Sequence, residues 1–416
     1  MSRIEIEGMQ RLQGEVTIQG SKNAVLPILS ACVLNEGETI LHGCPKIQDV
    51  FSMLEAIACA GAKYHWEDHT LILDTSVMHS APLIEKAGSM RSSVMLLGSF
   101  LARFGRATLG YPGGCCIGKR PIDLHEQVLA AMGATFLEEK NYLEAKCESL
   151  SGCELYLPYP SVGVTENILL AASKAAGFTR VFGAAREPEI MELCKFLRAM
   201  GVFISGEGTG KLWIQGGKLK KTLEYTLCKD RIVAGTYLMA VVITGGEVCF
   251  REVPLEHMKS TMKVIGMLGA HCRKEGNALI VSMKEKPRGI SYLCTAPYPG
   301  FPTDLQSPLL ATLCYSGRNG WVEEQIFENR FLIVEELKKM GANIEVHDRK
   351  VLIIPENPLY GANVTARDLR GGAALVLAGL GAEGNTVVEN LNVIERGYEA
   401  IEKDLGALGA NIRIFS

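Results

Sequence analysis

No stretch of about 18 uncharged apolar residues occurs anywhere in this chain of 416 residues, which excludes a conventional membrane-spanning helix. The first residues, MSRIEIEG, alternate charged and apolar side chains and offer no apolar core of signal-peptide length. The expectation is a protein that stays in the cytoplasm, with no membrane partner. There is no CxxC pair to suggest zinc or a thioredoxin-like redox site, and His65 and His69 in HWEDH sit in a strand-and-turn pattern, so they do not share a helix face for a metal. A metal site is not expected from these residues. Charge of one sign is also lacking: the formal net charge is -3, which argues against a polyanion-binding surface and against a nucleic-acid partner. Thirteen cysteines, an odd number scattered over a long chain, read as buried or reactive thiols in a reducing compartment. Cys32, Cys59, Cys194, Cys249 and Cys314 stand in apolar runs, where cysteine behaves as a small hydrophobe.

What is present is repetition. The segments EAIACAGAKY, QVLAAMGATF, KFLRAMGVFI, KVIGMLGAHC, EELKKMGANI and GALGANIRI each end an amphipathic helix on a glycine and run into a β-rich stretch. Those glycines are Gly61, Gly133, Gly201, Gly269, Gly341 and Gly409, spaced by 72, 68, 68, 72 and 68 residues. A second helix, apolar on nearly all faces, opens each unit, as in KNAVLPILSACVL and DRIVAGTYLMAVVITG. The reading is an α/β protein of two inverted α/β barrel domains, each of three repeated units with buried helices and outer sheets. The sixth unit stops at NIRIFS, short of the strands that the other units supply, and the N-terminal hairpin RIEIEG/GEVTIQG fits the gap. That closure predicts one domain over 21–229 and a second over 1–20 plus 230–416.

Polar residues gather where the six buried helices begin: Ser21, Lys22 and Asn23; Arg91, Ser92 and Ser93; Ser161 through Asn167; Asp230 and Arg231; Thr303 and Asp304; Asp368 and Arg370. Free N–H groups at helix starts bind anions, and an aspartate or serine there also serves as an N-cap. Lys22, Arg91 and Arg370 oppose the helix dipole unless an anion is present, so they call for an anionic ligand, expected in a cleft between the domains. Arg330 in FENRF and Arg396 in ERGYE add two cations at the starts of outer helices. The segment YPGGCCIGKRPIDLH, Tyr111 to His125, places two thiols among glycines and beside Lys119 and Arg120. Cations favour the thiolate, so Cys115 or Cys116 reads as a reactive thiol on a bending, cationic loop.

Taken in order, GSKNAVLPIL, PGGCxIGxRPxDLH, SVGxTEN, AAREPEI, FPTDLQ, FENRF, DLR, RGYE and ALGANI cover essentially the whole chain. In them the sequence resembles the enolpyruvyl transferases of the UDP-N-acetylglucosamine 1-carboxyvinyltransferase type. The resemblance implies transfer of enolpyruvyl from phosphoenolpyruvate to the 3'-hydroxyl of UDP-N-acetylglucosamine with release of phosphate, the first committed step of peptidoglycan synthesis. By motif it makes Cys115 the proton donor and the target of fosfomycin-type inhibitors, and Asp304 the general base. Lys22, Arg120 and Arg396 would hold phosphoenolpyruvate, with Lys22 and Arg396 also serving the chemistry. Asn23, Arg91, the stretch Arg120, Pro121, Ile122, Asp123 and Leu124, the turn Ser161, Val162 and Gly163, Asp304 and Ile326 would bind the UDP-sugar. Arg330 and Arg370 complete the set, with Asp368 and Glu187 fixing those cations. Cys116 and Tyr159 depart from the family pattern. The alternatives are a shikimate-type enolpyruvyl transferase, which does not use a PGGC cysteine, and a redox protein using the vicinal thiols, which the strain of an eight-membered ring disfavours.

Overall fold

The computed structural model describes residues 2–85, 90–111, 113 and 121–415; Cys115, Cys116, Lys119 and Arg120 lie outside the described residues. The six opening helices are buried because their sequences offer no polar face to water. In Lys22–Cys32 every residue from Ala24 on is buried, Gln306–Leu313 is buried throughout, and Arg231–Thr244 and Leu369–Gly381 are buried over all but their last turns. Leu96–Phe104 and Val162–Ala172 complete the six. The helix Leu96–Phe104 lies so close to Val162–Ala172 that the Gly98 N–H donates to Asn167 Oδ1 at 2.8 Å, and a β-carbon on Gly98 would fall 2.6 Å from the Asn167 carbonyl oxygen.

The second helix of each unit buries only one face. In Asp123–Ala131 that face is Leu124, His125, Val128 and Leu129. All six of these helices close on the regularly spaced glycines, whose φ angles run from 92° to 111°. Only glycine takes that conformation without strain, so the spacing seen in the sequence is a spacing of helix ends.

Six sheets cover the helices and share one strand order. In the third, Glu154–Tyr156 lies parallel to Phe178–Phe182, followed by Lys211–Gln215 and Phe203–Ser205, both pairings antiparallel. The second sheet has three strands among the described residues, and a parallel bridge from Leu83 to Leu109 stands where the others have their first strand. Chain closure uses the same pattern. Arg3–Glu7 inserts between Asn385–Glu389 and Asn411–Phe415, with Ile4 and Ile6 fully buried, while Leu12–Thr17 pairs parallel with Gly246–Arg251. Leu223–Thr226 pairs parallel with Glu38–His42.

Two compact units result. The described residues from Gly20 to Cys228 form one, and those up to Gln19 together with those from Lys229 onward form the other. Each has its own apolar core, one built from Val25 through Leu227, the other from Ile4 through Ile18 and Ile232 through Ala410. The crossings fall one residue before the expected ones. The apolar-run reading of the cysteines needs one correction: Cys59 closes the helix Gln48–Cys59 on its solvent side and is exposed.

Candidate active site

In the unit spanning Gly20 to Cys228, three segments far apart in sequence meet. Arg91 opens the short 3-10 helix Arg91–Met95 and its Nη2 donates to the Pro121 carbonyl at 3.4 Å. Pro121 and Ile122 lead into Asp123–Ala131, with Asp123 in its first turn and Leu124 buried. Ser161 caps Val162–Ala172, accepting from the Val164 N–H at 3.5 Å, with Val162 and Gly163 in the first turn.

The knot is Asn167. Its Nδ2 donates to the Val94 carbonyl at 2.9 Å and reaches His125 Nδ1 at 2.8 Å, while its Oδ1 takes the Gly98 N–H. The His125 ring lies against Gly163, where a β-carbon would stand 3.3 Å from its Cε1. Burial, then the charge of Arg91, pushes the His125 pKa down to about 4 against the pull of Asp123, so the imidazole is neutral and accepts at Nδ1. Neither His125 nor Asn167 was assigned a role from the sequence, although both end motifs that were, RPIDLH and SVGVTEN. Glu166, beside Asn167, is also buried, and its pKa is raised well above the usual carboxylate range by desolvation and then by Glu189 and Glu187.

Lys22 heads its helix and pairs with Asp49 at 2.9 Å, both side chains largely buried; Asn23 follows it in the first turn. The dipole argument for a ligand anion is therefore weakened at Lys22: the chain supplies a carboxylate of its own.

In the other unit the counterpart centre is Asp304. It lies in the 3-10 turn Thr303–Leu305, just ahead of the helix Gln306–Leu313. Its Oδ1 accepts from Arg330 Nη2 at 2.6 Å and its Oδ2 from Arg370 Nη2 at 3.1 Å. Both guanidinium side chains are only 3% exposed. Burial opposes the Arg370 charge, yet Asp304, Tyr398 and Asp230 outweigh it and raise its pKa. Tyr398 lies with its ring 5.4 Å from the Arg370 guanidinium, and its hydroxyl meets Thr236 Oγ1 at 2.8 Å.

Asp368, expected to fix the cations, instead caps Leu369–Gly381 by accepting the N–H groups of Arg370 and Gly371. Neither outer-helix cation begins a helix. Arg330 lies within the turn ahead of Ile333–Lys339, and Arg396 lies in the turn after the short helix Leu391–Ile394. Ile326 follows the strand Gly320–Glu323. The Arg396 turn is held by Gln19, which no sequence motif singled out: its Nε2 donates to the Gly397 carbonyl at 3.1 Å and its Oε1 takes the Glu399 N–H at 3.0 Å.

Among the described residues, Arg330 Nε and Arg370 Nη1 are buried nitrogens with no hydrogen-bond acceptor within normal geometry. Such donors beside a shared carboxylate suit an anionic oxygen. Among the described residues no group of three or more His, Cys, Asp or Glu side chains could hold a metal ion, and no helix is long and apolar enough to cross a membrane.

A family model described as EPSP synthase (3-phosphoshikimate 1-carboxyvinyltransferase) matches residues 6–405. UDP-N-acetylglucosamine 1-carboxyvinyltransferase 2 of Caldanaerobacter subterraneus subsp. tengcongensis is 42% identical over 413 residues, 99% of each chain. The enzyme of that name from Halothermothrix orenii is 42% identical over 414 residues, again 99% of each. Among solved structures, the enolpyruvyl transferase NikO from Streptomyces tendae superposes with a TM-score of 0.90 at 23% identity, covering 100% of this chain and 99% of that one. EPSP synthase from Acinetobacter baumannii does so with a TM-score of 0.77 at 19% identity, covering 100% of both, and these two likenesses speak for the fold. With the family model spanning nearly the whole sequence and full-length relatives at about 40% identity, the chain belongs to the enolpyruvyl transferase family, on the side of the UDP-N-acetylglucosamine 1-carboxyvinyltransferases.

Proposed function

We propose that this chain transfers the enolpyruvyl group of phosphoenolpyruvate to the 3'-hydroxyl of UDP-N-acetylglucosamine and releases phosphate. The observation that carries the proposal is the full-length identity with enzymes of that name, 42% over 413 residues in one case. The sugar oxygen attacks C2 of phosphoenolpyruvate as the methylene carbon takes a proton from the Cys115 thiol, while the hydroxyl proton passes to Asp304. The tetrahedral adduct then expels phosphate as the new methyl group returns a proton to the Cys115 thiolate, restoring the double bond and the thiol.

Cys115 and Arg120 enter on their motif alone. Lys22, Arg120 and Arg396 hold the phosphate and carboxylate of phosphoenolpyruvate, and Arg330 and Arg370 stabilise charge that develops on the adduct. Arg91, Asn23, Pro121 to Leu124, Ser161 to Gly163 and Ile326 hold the UDP-sugar; the joining of Arg91, Pro121 and the Ser161 turn through Asn167 and His125 supports a shared ligand for them. The reaction takes place in the cytoplasm and feeds peptidoglycan synthesis, and through it the cell wall, cell shape and division. It requires no cofactor, metal, nucleic acid or membrane.

Phosphate release is the test. It is expected only when phosphoenolpyruvate and UDP-N-acetylglucosamine are both present, and not when shikimate 3-phosphate replaces the sugar; the reverse preference would overturn the proposal. Fosfomycin should add to Cys115 and abolish turnover, and peptide mapping that placed the adduct on Cys116 would overturn the assignment of the proton donor.

A further inference from the structure

We propose that Glu324 is a positioning residue for this transfer, setting both the Asp304 carboxylate and the Ile326 contact through one buried carboxyl group, an inference that rests on the reaction proposed above. Glu324 is fully buried and follows the strand Gly320–Glu323, where its own N–H donates to the Arg349 carbonyl at 2.8 Å. Its side chain folds back over the next turn. Oε1 accepts the N–H groups of Ile326 at 2.8 Å and Phe327 at 3.1 Å, and Oε2 accepts the hydroxyl of Thr303 at 3.0 Å. Glu323, one residue earlier, pairs with Lys350, whereas among the described residues the donors to Glu324 are two amides and a hydroxyl. A buried carboxyl group bound by neutral donors contributes direction and spacing, not neutralisation of a cation.

The donors identify what is being positioned. Ile326 is itself a candidate sugar contact. Thr303 precedes Asp304, and its carbonyl receives Arg330 Nη2 at 3.4 Å, the same nitrogen that holds Asp304 Oδ1. Phe327 carries its ring 5.6 Å from the Arg330 guanidinium. Glu324 thus grips both ends of the Asp304–Arg330 pair: the turn bearing the carboxylate through Thr303, and the turn leading to the guanidinium through Phe327. A residue that only closed the turn after its strand would need the two amide bonds. The third bond reaches 21 positions back along the chain.

Three full-length variants test this by phosphate release with each substrate varied in turn, alongside thermal melting. Glu324→Ala is expected to lower kcat at least about tenfold and to raise KM for UDP-N-acetylglucosamine at least about threefold, leaving KM for phosphoenolpyruvate within about twofold. Glu324→Gln should stay within about threefold of wild type in every constant, because its amide oxygen still accepts both N–H groups and the Thr303 hydroxyl can accept from the amide nitrogen. Thr303→Val, which cuts only the link to the Asp304 turn, should lower kcat with little change in either KM, and it decides the question if Glu324→Ala does not fold.

A folded Glu324→Ala with wild-type constants would overturn the role, as would a fall in kcat matching only the loss of folded protein with both KM values unchanged. Glu324→Gln as impaired as Glu324→Ala, or Thr303→Val with wild-type kcat, would overturn it too. Wild-type protein that released no phosphate from the substrate pair would instead bring down the reaction itself, and with it this role.

Discussion

Replacing Asp304 by alanine removes the one carboxylate shared by two nearly buried guanidiniums, those of Arg330 and Arg370. Breaking a buried ion pair from one side costs about 3–5 kcal/mol because the remaining charge is left uncompensated. Asp304 is itself 25% exposed, so water offsets part of the loss and the low end, about 3 kcal/mol, applies. In a unit of about 200 residues that corresponds to a fall in Tm of about 6–12 °C. Turnover should fall separately, by about 10² to 10⁴, the range for loss of a general base. Arg330 and Arg370 each hold one of the two Asp304 carboxylate oxygens. Asp304→Asn separates the two effects, since it keeps the shape and one accepting oxygen but cannot take the proton. It should melt closer to wild type than Asp304→Ala while losing turnover to a similar degree. The assays are calorimetric melting and phosphate release below the melting range of each variant. A Tm within about 1 °C of wild type for Asp304→Ala would refute the energetic argument, and near-normal turnover in folded Asp304→Asn would refute the assignment as base.

Two pH predictions follow from buried groups in the other unit. His125 has its pKa depressed from 6.5 to about 4, so the unfolded chain binds the extra proton between those values. Stability from this group is complete above pH 6.5 and is lost as pH falls toward 4, by about 3 kcal/mol at most; denaturant titrations of His125→Gln should lack that slope, and an unchanged slope would count against a buried neutral imidazole. Glu166 has a raised pKa, so its contribution is complete below the ordinary carboxyl value of 4.5 and is lost as pH rises through the higher folded value. Glu166→Gln should therefore melt above wild type at pH 8 and close to it at pH 4.5, and the opposite order would show that the carboxylate is ionised and stabilised by a partner.

How much was legible differs between the fold and the site. The six glycines marked helix ends reliably because a positive φ is demanded by the residue's own backbone, and the all-apolar helices announced burial because no rotation about their axes offers water a polar face. Candidate site residues stood out by their types at helix starts and by motif, and the structure joins Arg91, Pro121 and the Ser161 turn within one unit. The binding partners of the charges were not found. Asp368 and Asp304 both stand at helix openings, yet one is an ordinary cap and the other bridges two arginines. Gln19 and Glu324 escaped notice, and Asn167 stood out only as one of the polar residues at a helix start, because a single neutral or acidic side chain that ties distant loops carries no local pattern.

The sequence by itself determined the repeat, the alternation of buried and half-buried helices, their ends and the residue types gathered at their starts, since each depends on steric and hydrophobic preferences spanning a few neighbouring residues. Tertiary structure alone decided that Asp49 answers Lys22, that Asp304 answers Arg330 and Arg370 across 26 and 66 positions, and that Asn167 binds His125 across 42. A carboxylate close to a helix start can cap its own backbone or cross to a cation on another element, and the choice turns on distances of an ångström or two that arise only when the helices pack.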